Sequence, residues 1–310
     1  MMRGTLPILG FLFVGICSGF DVKTVQQNPA GQQQVGGAVL GYAVNPAGPD
    51  LRAILGVPGS ARFSDPIALP DSTVAVDLAP GHRWALVTND MDLLVFDPAT
   101  GSAAGLQSGI PDSFAFSPSG SRVALYFQAA GQVRIYKGLP SSPALDSTTS
   151  VNGRVDSFAV SDSSGFVYAS AGRVAFNSGN QTDRFLYQST ALGPFAFEAA
   201  ADSIVLFDGT TTNLIELSTT GQSTRTIASA FGTPDSLFAW TDHVAAGDSA
   251  NSMFWTIDAV TGSVSAPRMT TVTRVSPMQL AGVLLLSFSD GQPAWISTAQ
   301  GISFVPAIQQ

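Results

Sequence analysis

Seven apolar positions recur along this chain at a spacing near 40 residues. Each closes a short apolar run just before a turn; the positions are Val44, Leu78, Phe116, Val160, Phe197, Ala239 and Met278, which lie 34 to 44 residues apart. A second and a third apolar run follow each position, with Gly, Pro, Asn or Asp between the runs. A period of this length, with several short strands per unit, is typical of the blades of a β-propeller.

The clearest unit begins at Asp112. It alternates up to Phe116, turns at Ser117-Pro118-Ser119-Gly120, and resumes as an apolar run over Val123–Phe127. Proline and glycine set the turn and stop the first strand from continuing, and no stretch of the chain keeps a helical period. We therefore predict an all-β fold, a seven-bladed β-propeller of four-stranded antiparallel blades. Six or eight blades are the alternatives, because the first unit is short, and the fourth strand is the least distinct in every unit.

The first residues have the layout of a signal peptide. Arg3 precedes an apolar run over Leu6–Ile16, and the small residues Ser18 and Gly19 follow it. The run is shorter than the roughly 20 residues that span a membrane, so we expect cleavage near Gly19, export to the periplasm or the extracellular space, and no transmembrane helix in the mature chain. The domain prediction is a signal peptide over 1–19, a polar Gln-rich arm over 20–39 and a single propeller over 40–310. Cys17 stands where a lipoprotein cysteine would, and lipidation is left open because Ile16 before it is a poor match.

Charge excludes one class of partner. The chain has 14 Lys and Arg against 22 Asp and Glu, giving a net charge of -8, and no basic run. Nucleic-acid binding requires clustered cations, so we expect none. We also expect a monomer.

Aspartates recur just before the innermost strands. Asp71, Asp112, Asp156 and Asp235 each precede a serine at this point of their unit. In a propeller, these connections share one face with the turns between second and third strands, which here contain Asp90, Asp208 and Asp248 among others. We call this predicted surface the acidic face.

Two interpretations of these aspartates remain open. Carboxylates and turn carbonyls are the oxygen ligands that Ca2+ prefers, and they also attract a cationic partner, so Asp71, Asp112, Asp156 and Asp235 are the candidate ligand-binding residues. Alternatively, Asp before Ser stabilises a tight turn through its own backbone and binds nothing. Ca2+ is the candidate cofactor under the first interpretation, and no cofactor is expected under the second.

No catalytic group stands out. The only histidines, His82 and His243, fall in or beside turns of two different units on the opposite face, which argues against a shared metal or a Ser-His-Asp triad. The only glutamates are Glu198 and Glu216, and no motif selects a carboxylate pair for glycoside hydrolysis. We assign no catalytic residue, and the metal ligands, if the chain has any, stay unknown.

Two stretches resemble a known group of proteins. Phe114–Gly120, followed by Arg122–Leu125, is similar to the Ser-Pro-Asp/Ser-Gly blade motif of exported bacterial propellers of the YVTN and TolB-like type. Val95–Gly101 resembles their later Asp-x-x-Thr-Gly turn. The resemblance implies the fold and export, and it implies no activity, because sites are built separately on such scaffolds.

The sequence therefore favours an exported binding or scaffold module that uses its acidic face for a protein, glycan or peptide partner. The alternative is a metal-dependent, lactonase-like hydrolase, since propeller lactonases hold a divalent metal in the central channel through carboxylates of several blades. The channel distinguishes the two hypotheses: an apolar lining favours the binding module, and converging oxygen ligands favour the hydrolase.

Overall fold

The computed structural model describes residues 38–304, with gaps at 46–47, 58–59, 152, 164, 180–181, 199–202, 222–223, 230–231, 241–242, 266–267, 270–271, 279–282, 289–292 and 298–300. The predicted signal peptide and most of the predicted arm lie outside the described residues. No helix in the described part of the chain has the length and hydrophobicity that a membrane crossing requires.

The described chain is built from strands, which pair only with neighbours in sequence and always antiparallel. Sheet I contains β1 (Val39–Asn45), β2 (Asp50–Leu55) and β3 (Arg62–Pro66); sheet II contains β4 (Ala75–Leu78), β5 (Ala85–Thr88), β6 (Asp92–Asp97) and β7 (Ser102–Ser108); sheet III contains β8 (Ser113–Phe116), β9 (Arg122–Phe127), β10 (Gln132–Lys137) and β11 (Ala144–Ser150); sheet IV contains β12 (Ser157–Val160), β13 (Phe166–Ser170), β14 (Arg173–Asn177) and β15 (Arg184–Gln188). Sheet V contains β16 (Leu192–Phe197), β17 (Ser203–Asp208), β18 (Asn213–Ser218) and β19 (Thr224–Ser229); sheet VI contains β20 (Ser236–Trp240), β21 (His243–Asp248), β22 (Met253–Asp258) and β23 (Arg268–Met269); sheet VII contains β24 (Val272–Pro277), β25 (Val283–Phe288), β26 (Pro293–Ser297) and β27 (Gly301–Phe304).

Apolar side chains fill the space between successive sheets. Leu51 and Val87 lie in the contact between sheets I and II, and Phe207 and Trp255 lie in the contact between sheets V and VI. Both faces of a sheet are thus covered by neighbours, which explains why the second strands are apolar at nearly every position. The sequence period reflects this demand, because each sheet must bury the same two faces.

The last sheet packs against the first. Met278 and Leu285, from the region of sheet VII, share a buried cluster with Ala43 and Ile54 of sheet I. Gly41 lies at this contact, and a Cβ atom there would lie 2.8 Å from the Met278 Cε atom, so a larger residue would force the Met278 side chain to shift. The sheets therefore form a closed ring.

The prediction of a propeller built from four-stranded antiparallel blades is confirmed, but the count of seven such blades is not reached. Six sheets have four strands and sheet I has three. After Pro66 the chain crosses directly to sheet II: the Ile67 N–H donates to the Leu51 carbonyl at 2.8 Å, and Ile67 and Leu69 pack between sheets I and II. Within the described residues, sheet I therefore has three strands, and the chain passes from the third directly to sheet II.

A belt of turns between innermost and second strands links sheets I to IV on one side of the ring. The Tyr42 N–H of sheet I donates to His82 Nδ1 at 3.3 Å, and Trp84 Nε1 of sheet II donates to the Gly120 carbonyl at 2.9 Å. The Ser119 hydroxyl of sheet III donates to Asp162 Oδ1 beside sheet IV at 2.5 Å. The Ser-Pro-Ser-Gly turn that defines the repeat is therefore also an inter-sheet contact.

Candidate functional site

The described part of the central channel is lined mainly by apolar side chains. A cavity of about 180 Å³ lies among the innermost strands of five successive sheets. Its described lining is Leu78, Pro80, Ala115, Phe116, Ser117, Pro118, Phe158, Ala159, Phe195, Ala196, Phe197, Leu237 and Phe238. No carboxylate occurs among these lining residues, and within the described ranges no group of three or more His, Cys, Asp or Glu converges on a point that would suit a metal ion. The channel offers the lining expected for the binding module.

Two of the four predicted aspartates use their carboxylates to bind the turn after the second strand of the same sheet, and not their own turns. Asp112 Oδ2 accepts the Gln128 N–H at 2.7 Å, and Asp235 Oδ2 accepts the Ser249 N–H at 3.1 Å. In both cases the aspartate holds the connection entering the innermost strand against the turn after the second strand. Both side chains are exposed, so the contacts leave their charge at the surface.

Asp156 occupies the same backbone position with a different contact. Its N–H donates to the Ala169 carbonyl at 2.9 Å, as the N–H of Asp112 does to Tyr126. Its carboxylate lies 3.9 Å from Arg154 Nε, and both side chains are exposed. Exposed pairs of this kind contribute about 0–1 kcal/mol, so Asp156 is only weakly constrained.

Asp71 is not equivalent to the other three. In sheet II the corresponding backbone contact, to the Thr88 carbonyl at 2.8 Å, is made by Val74. Asp71 lies three residues earlier, in the crossing from sheet I, next to Ser72, whose φ is 58°. The shared Asp-Ser dipeptide thus places Asp71 on the acidic face, but it does not make it a structural copy of Asp112.

Two further aspartates of this face point inward. Asp208 is fully buried, and its carboxylate accepts hydrogen bonds from Tyr187 Oη at 2.9 Å, Thr211 Oγ1 at 2.8 Å and the Thr210 N–H at 3.0 Å, as well as from the Ser189 hydroxyl. Burial raises the pKa of the Asp208 carboxyl, but these hydrogen bonds together hold it below its ordinary value. Asp208 is therefore a charged structural group.

Asp248 is the counterpart in sheet VI. It is 1% exposed and accepts the N–H and hydroxyl of Thr233, both at 3.0 Å, and the Asn251 side chain at 2.8 Å. Burial raises its pKa, and the hydrogen bonds from Asn251 and Thr233 lower it by more. The sequence placed both carboxylates on the acidic face correctly, but it did not predict that they would be buried.

Exposed apolar side chains gather on the acidic face, which sequence reasoning missed. Of the eight large apolar residues exposed in the described part of the chain, four lie on this face above sheets I to III: Val57, Val74, Met91 and Ile110. Met91 is held at the tip of its turn, because Asn89 Oδ1 accepts the N–H of Met91 at 3.0 Å and that of Asp92 at 2.7 Å. The sequence feature that could have predicted this exposure is an apolar residue between two aspartates, Asp90 and Asp92, in a turn.

The opposite face brings no histidine pair together. His82 is buried in the belt of turns beside sheet I, whereas His243 begins β21 in sheet VI. Glu216 pairs with Arg225 at 2.5 Å, and Glu198 accepts the Ser203 hydroxyl at 2.6 Å. Burial raises the pKa of the Glu198 carboxyl. Each of these groups has a structural partner.

Comparison with known proteins identifies the fold and leaves the family open. No protein-family model and no curated protein matches this sequence. Solved structures do match. The β-propeller domain of Cps50 (Swd1) from Myceliophteria thermophila is 12% identical with a TM-score of 0.56, over 78% of this chain and 87% of that one. U3-55K is 9% identical with a TM-score of 0.53, over 74% of this chain and 78% of that one.

A bacterial surface protein is also similar. PorZ, a surface component of the type-IX secretion system of Porphyromonas gingivalis, is 11% identical with a TM-score of 0.58, over 88% of this chain. The match spans only 38% of PorZ. At these identities the likeness concerns the fold alone. This fold is a β-propeller.

Proposed function

We propose that this chain is a binding or scaffold module that holds a partner on the acidic face of the propeller. The observation that carries the proposal is that exposed apolar side chains and exposed carboxylates lie on the same face, above sheets I to III. Exposed apolar groups that gather on one surface mark interaction sites, whereas singly scattered ones carry no such meaning. The mainly apolar lining of the channel supports binding over metal-dependent hydrolysis, because none of its described lining residues carries a carboxylate.

The proposal includes an exported location. The layout of residues 1–19 supports a cleaved signal peptide, and the blade motif at Phe114–Gly120 supports a YVTN or TolB-like exported propeller. We count sheet I as the seventh blade, since it packs against both sheet II and the region of sheet VII. Expression with residues 1–19 in a bacterial host, followed by mass spectrometry of the secreted or periplasmic protein, is expected to give a first residue at or next to Phe20. Retention of Met1 in the cytoplasm would contradict export.

Site-specific photo-crosslinking tests the binding face. Met91 on the acidic face and Val260 on the opposite face form a matched pair: they are 74% and 71% exposed, and each donates its N–H to the side chain of an Asn or Asp two residues earlier. A benzophenone amino acid placed at each position in the full chain, in cells that express it naturally, is expected to give a discrete adduct from position 91 and none from 260. Equal adducts from both positions, or none from 91, would contradict the proposal.

A further inference from the structure

We infer that the partner of the acidic face is a polypeptide segment that combines an apolar side chain with Lys or Arg, and that it docks above sheets II and III. This inference rests on the proposed function and specifies its ligand. The docking surface, which we call the blade-II patch, consists of Val74, Met91, Ile110, Asp71, Asp90 and Asp112.

The apolar part of the patch is held in place by backbone contacts. The Val74 N–H bonds to the Thr88 carbonyl, directly before the turn that carries Met91. The Gly109 N–H donates to the Met91 carbonyl at 3.0 Å, which sets Ile110 beside that turn. Val74, Met91 and Ile110 are 60%, 74% and 52% exposed. Because these turns are held by backbone hydrogen bonds, covering the patch costs little backbone conformational entropy in this protein.

The charged side chains within the patch are all of one sign. Asp71, Asp90 and Asp112 are exposed, and each lies within three residues of one of the apolar groups. The segments that form the patch, 67–74, 89–91 and 109–112, and the neighbouring turn 128–131, contain no Lys or Arg. On this side of the neighbouring sheet I, Arg62 at the start of β3 carries a positive charge. A partner with Lys or Arg flanking its apolar anchor is complementary to this arrangement, and an acidic one is repelled.

The composition of the patch selects among the classes of partner. Glycan sites combine aromatic platforms with several aimed polar groups, whereas Val74, Met91 and Ile110 present aliphatic and thioether surface. An anionic membrane surface is disfavoured by Asp71, Asp90 and Asp112. Methionine fits irregular apolar partners well, because its side chain is unbranched and polarisable. A basic and apolar polypeptide segment satisfies both the apolar and the charged part of the patch.

The test uses random 12-residue peptides displayed on phage and selected on the full chain. Enriched sequences are then synthesised with a fluorophore, and their Kd is measured by anisotropy against the parent, Met91→Ser, Asp90→Asn and Val260→Ser. The last variant is a matched control, since Val260 is equally exposed but lies beside Arg225, whose guanidinium contacts the Val260 carbonyl at 3.5 Å.

The expected result is enrichment of peptides with Lys or Arg next to a large apolar residue. Met91→Ser is expected to raise the Kd of these peptides about tenfold, because one buried apolar anchor is lost. Asp90→Asn is expected to raise the Kd about threefold at low salt, and this difference is expected to disappear at about 0.5 M salt. Val260→Ser is expected to leave the Kd unchanged.

Three outcomes would overturn the inference: no enrichment, enrichment of acidic or uncharged peptides, or peptides that tolerate Met91→Ser. If one of these occurs while position 91 still gives a discrete crosslinked adduct in cells, the acidic face binds a partner of another chemistry and only this inference is wrong. If position 91 gives no adduct either, the proposed function is wrong as well.

Discussion

Replacing Gly120 by Ala tests whether the repeated Ser-Pro-Ser-Gly turn joins neighbouring sheets. Gly120 has a φ of 70°, and a Cβ atom at this position would lie 2.7 Å from the Pro80 carbonyl oxygen of sheet II. Its own carbonyl accepts the Trp84 indole N–H. The substitution therefore strains the backbone of sheet III and also pushes sheets II and III apart.

Gly101 separates these two effects. It has the same φ of 70° and also closes a tight turn, but a Cβ atom there would meet nothing within 4 Å. Gly101→Ala is expected to lower the free energy of unfolding by about 1–2 kcal/mol, the cost of a left-handed conformation for a residue with a Cβ atom. Gly120→Ala carries the same cost and, in addition, about 1–3 kcal/mol for overpacking against the Pro80 carbonyl.

Urea unfolding followed by tryptophan fluorescence, with circular dichroism as a second probe, measures both variants against the parent. The expected order of stability is parent, then Gly101→Ala, then Gly120→Ala, with a gap of at least about 1 kcal/mol between the two variants. If both variants lose the same free energy, the turn affects only its own sheet, and the inter-sheet role assigned to the belt of turns is wrong.

The other predictions concern the carboxylates. Asp208→Asn is expected to lower the free energy of unfolding by about 2–3 kcal/mol, because the amide NH2 group cannot accept a hydrogen bond, whereas four donors share the two carboxylate oxygens. Asp156→Asn, at an exposed position, is the control and is expected to stay within about 0.5 kcal/mol of the parent. An equal loss of stability in both variants would contradict this prediction. The folded pKa values of Asp208 and Asp248 lie below their unfolded values, so the stability that these carboxylates contribute is fully present above the unfolded pKa of about 3.9 and is lost as the pH falls through the folded pKa. The thermal midpoints of Asp208→Asn and the parent should therefore converge below about pH 4. A difference between the two midpoints that widens on acidification would be inconsistent with this sign. Millimolar Ca2+ is expected to leave the thermal midpoint unchanged, because no cluster of three acidic or histidine ligands occurs among the described residues. If calorimetry instead detects Ca2+ binding to the parent, and Asp112→Asn and Asp235→Asn weaken that binding, the cation interpretation of these aspartates is right.

The innermost and second strands were the most predictable part of the fold. Val123–Phe127 was predicted from its apolar run and corresponds to β9 within one residue. These strands are covered by neighbouring sheets, so their sequence must be apolar almost throughout. Outer strands are exposed, and β7, with the sequence SAAGLQS, has no pattern that separates it from a loop.

The candidate site was predictable in location and not in detail. An Asp-Ser dipeptide before an innermost strand places the aspartate on the acidic face, but its backbone position depends on the length of the connection, which is why Asp71 differs from Asp112. Burial of Asp208 depends on Tyr187 and Ser189, which are about 20 residues away in sequence and come close only when sheets IV and V pack together. Met91 was not predicted as an exposed residue, because apolar side chains are usually buried in a core.

The contact between the two ends of the ring has a consequence for the order in which the chain folds. Every strand pairs with a sequence neighbour, so each sheet forms from a stretch of roughly 40 residues, and only the cluster of Ala43 and Met278 joins residues 235 positions apart. Loop-closure entropy grows by about 0.6 kcal/mol per doubling of length, so closing the ring costs about 1.5 kcal/mol more than closing one 40-residue unit. Contact order is thus low everywhere except at one place. Folding rate should therefore respond strongly to changes within a sheet, whereas changes at Gly41 or Met278 should act mainly on the rate of unfolding.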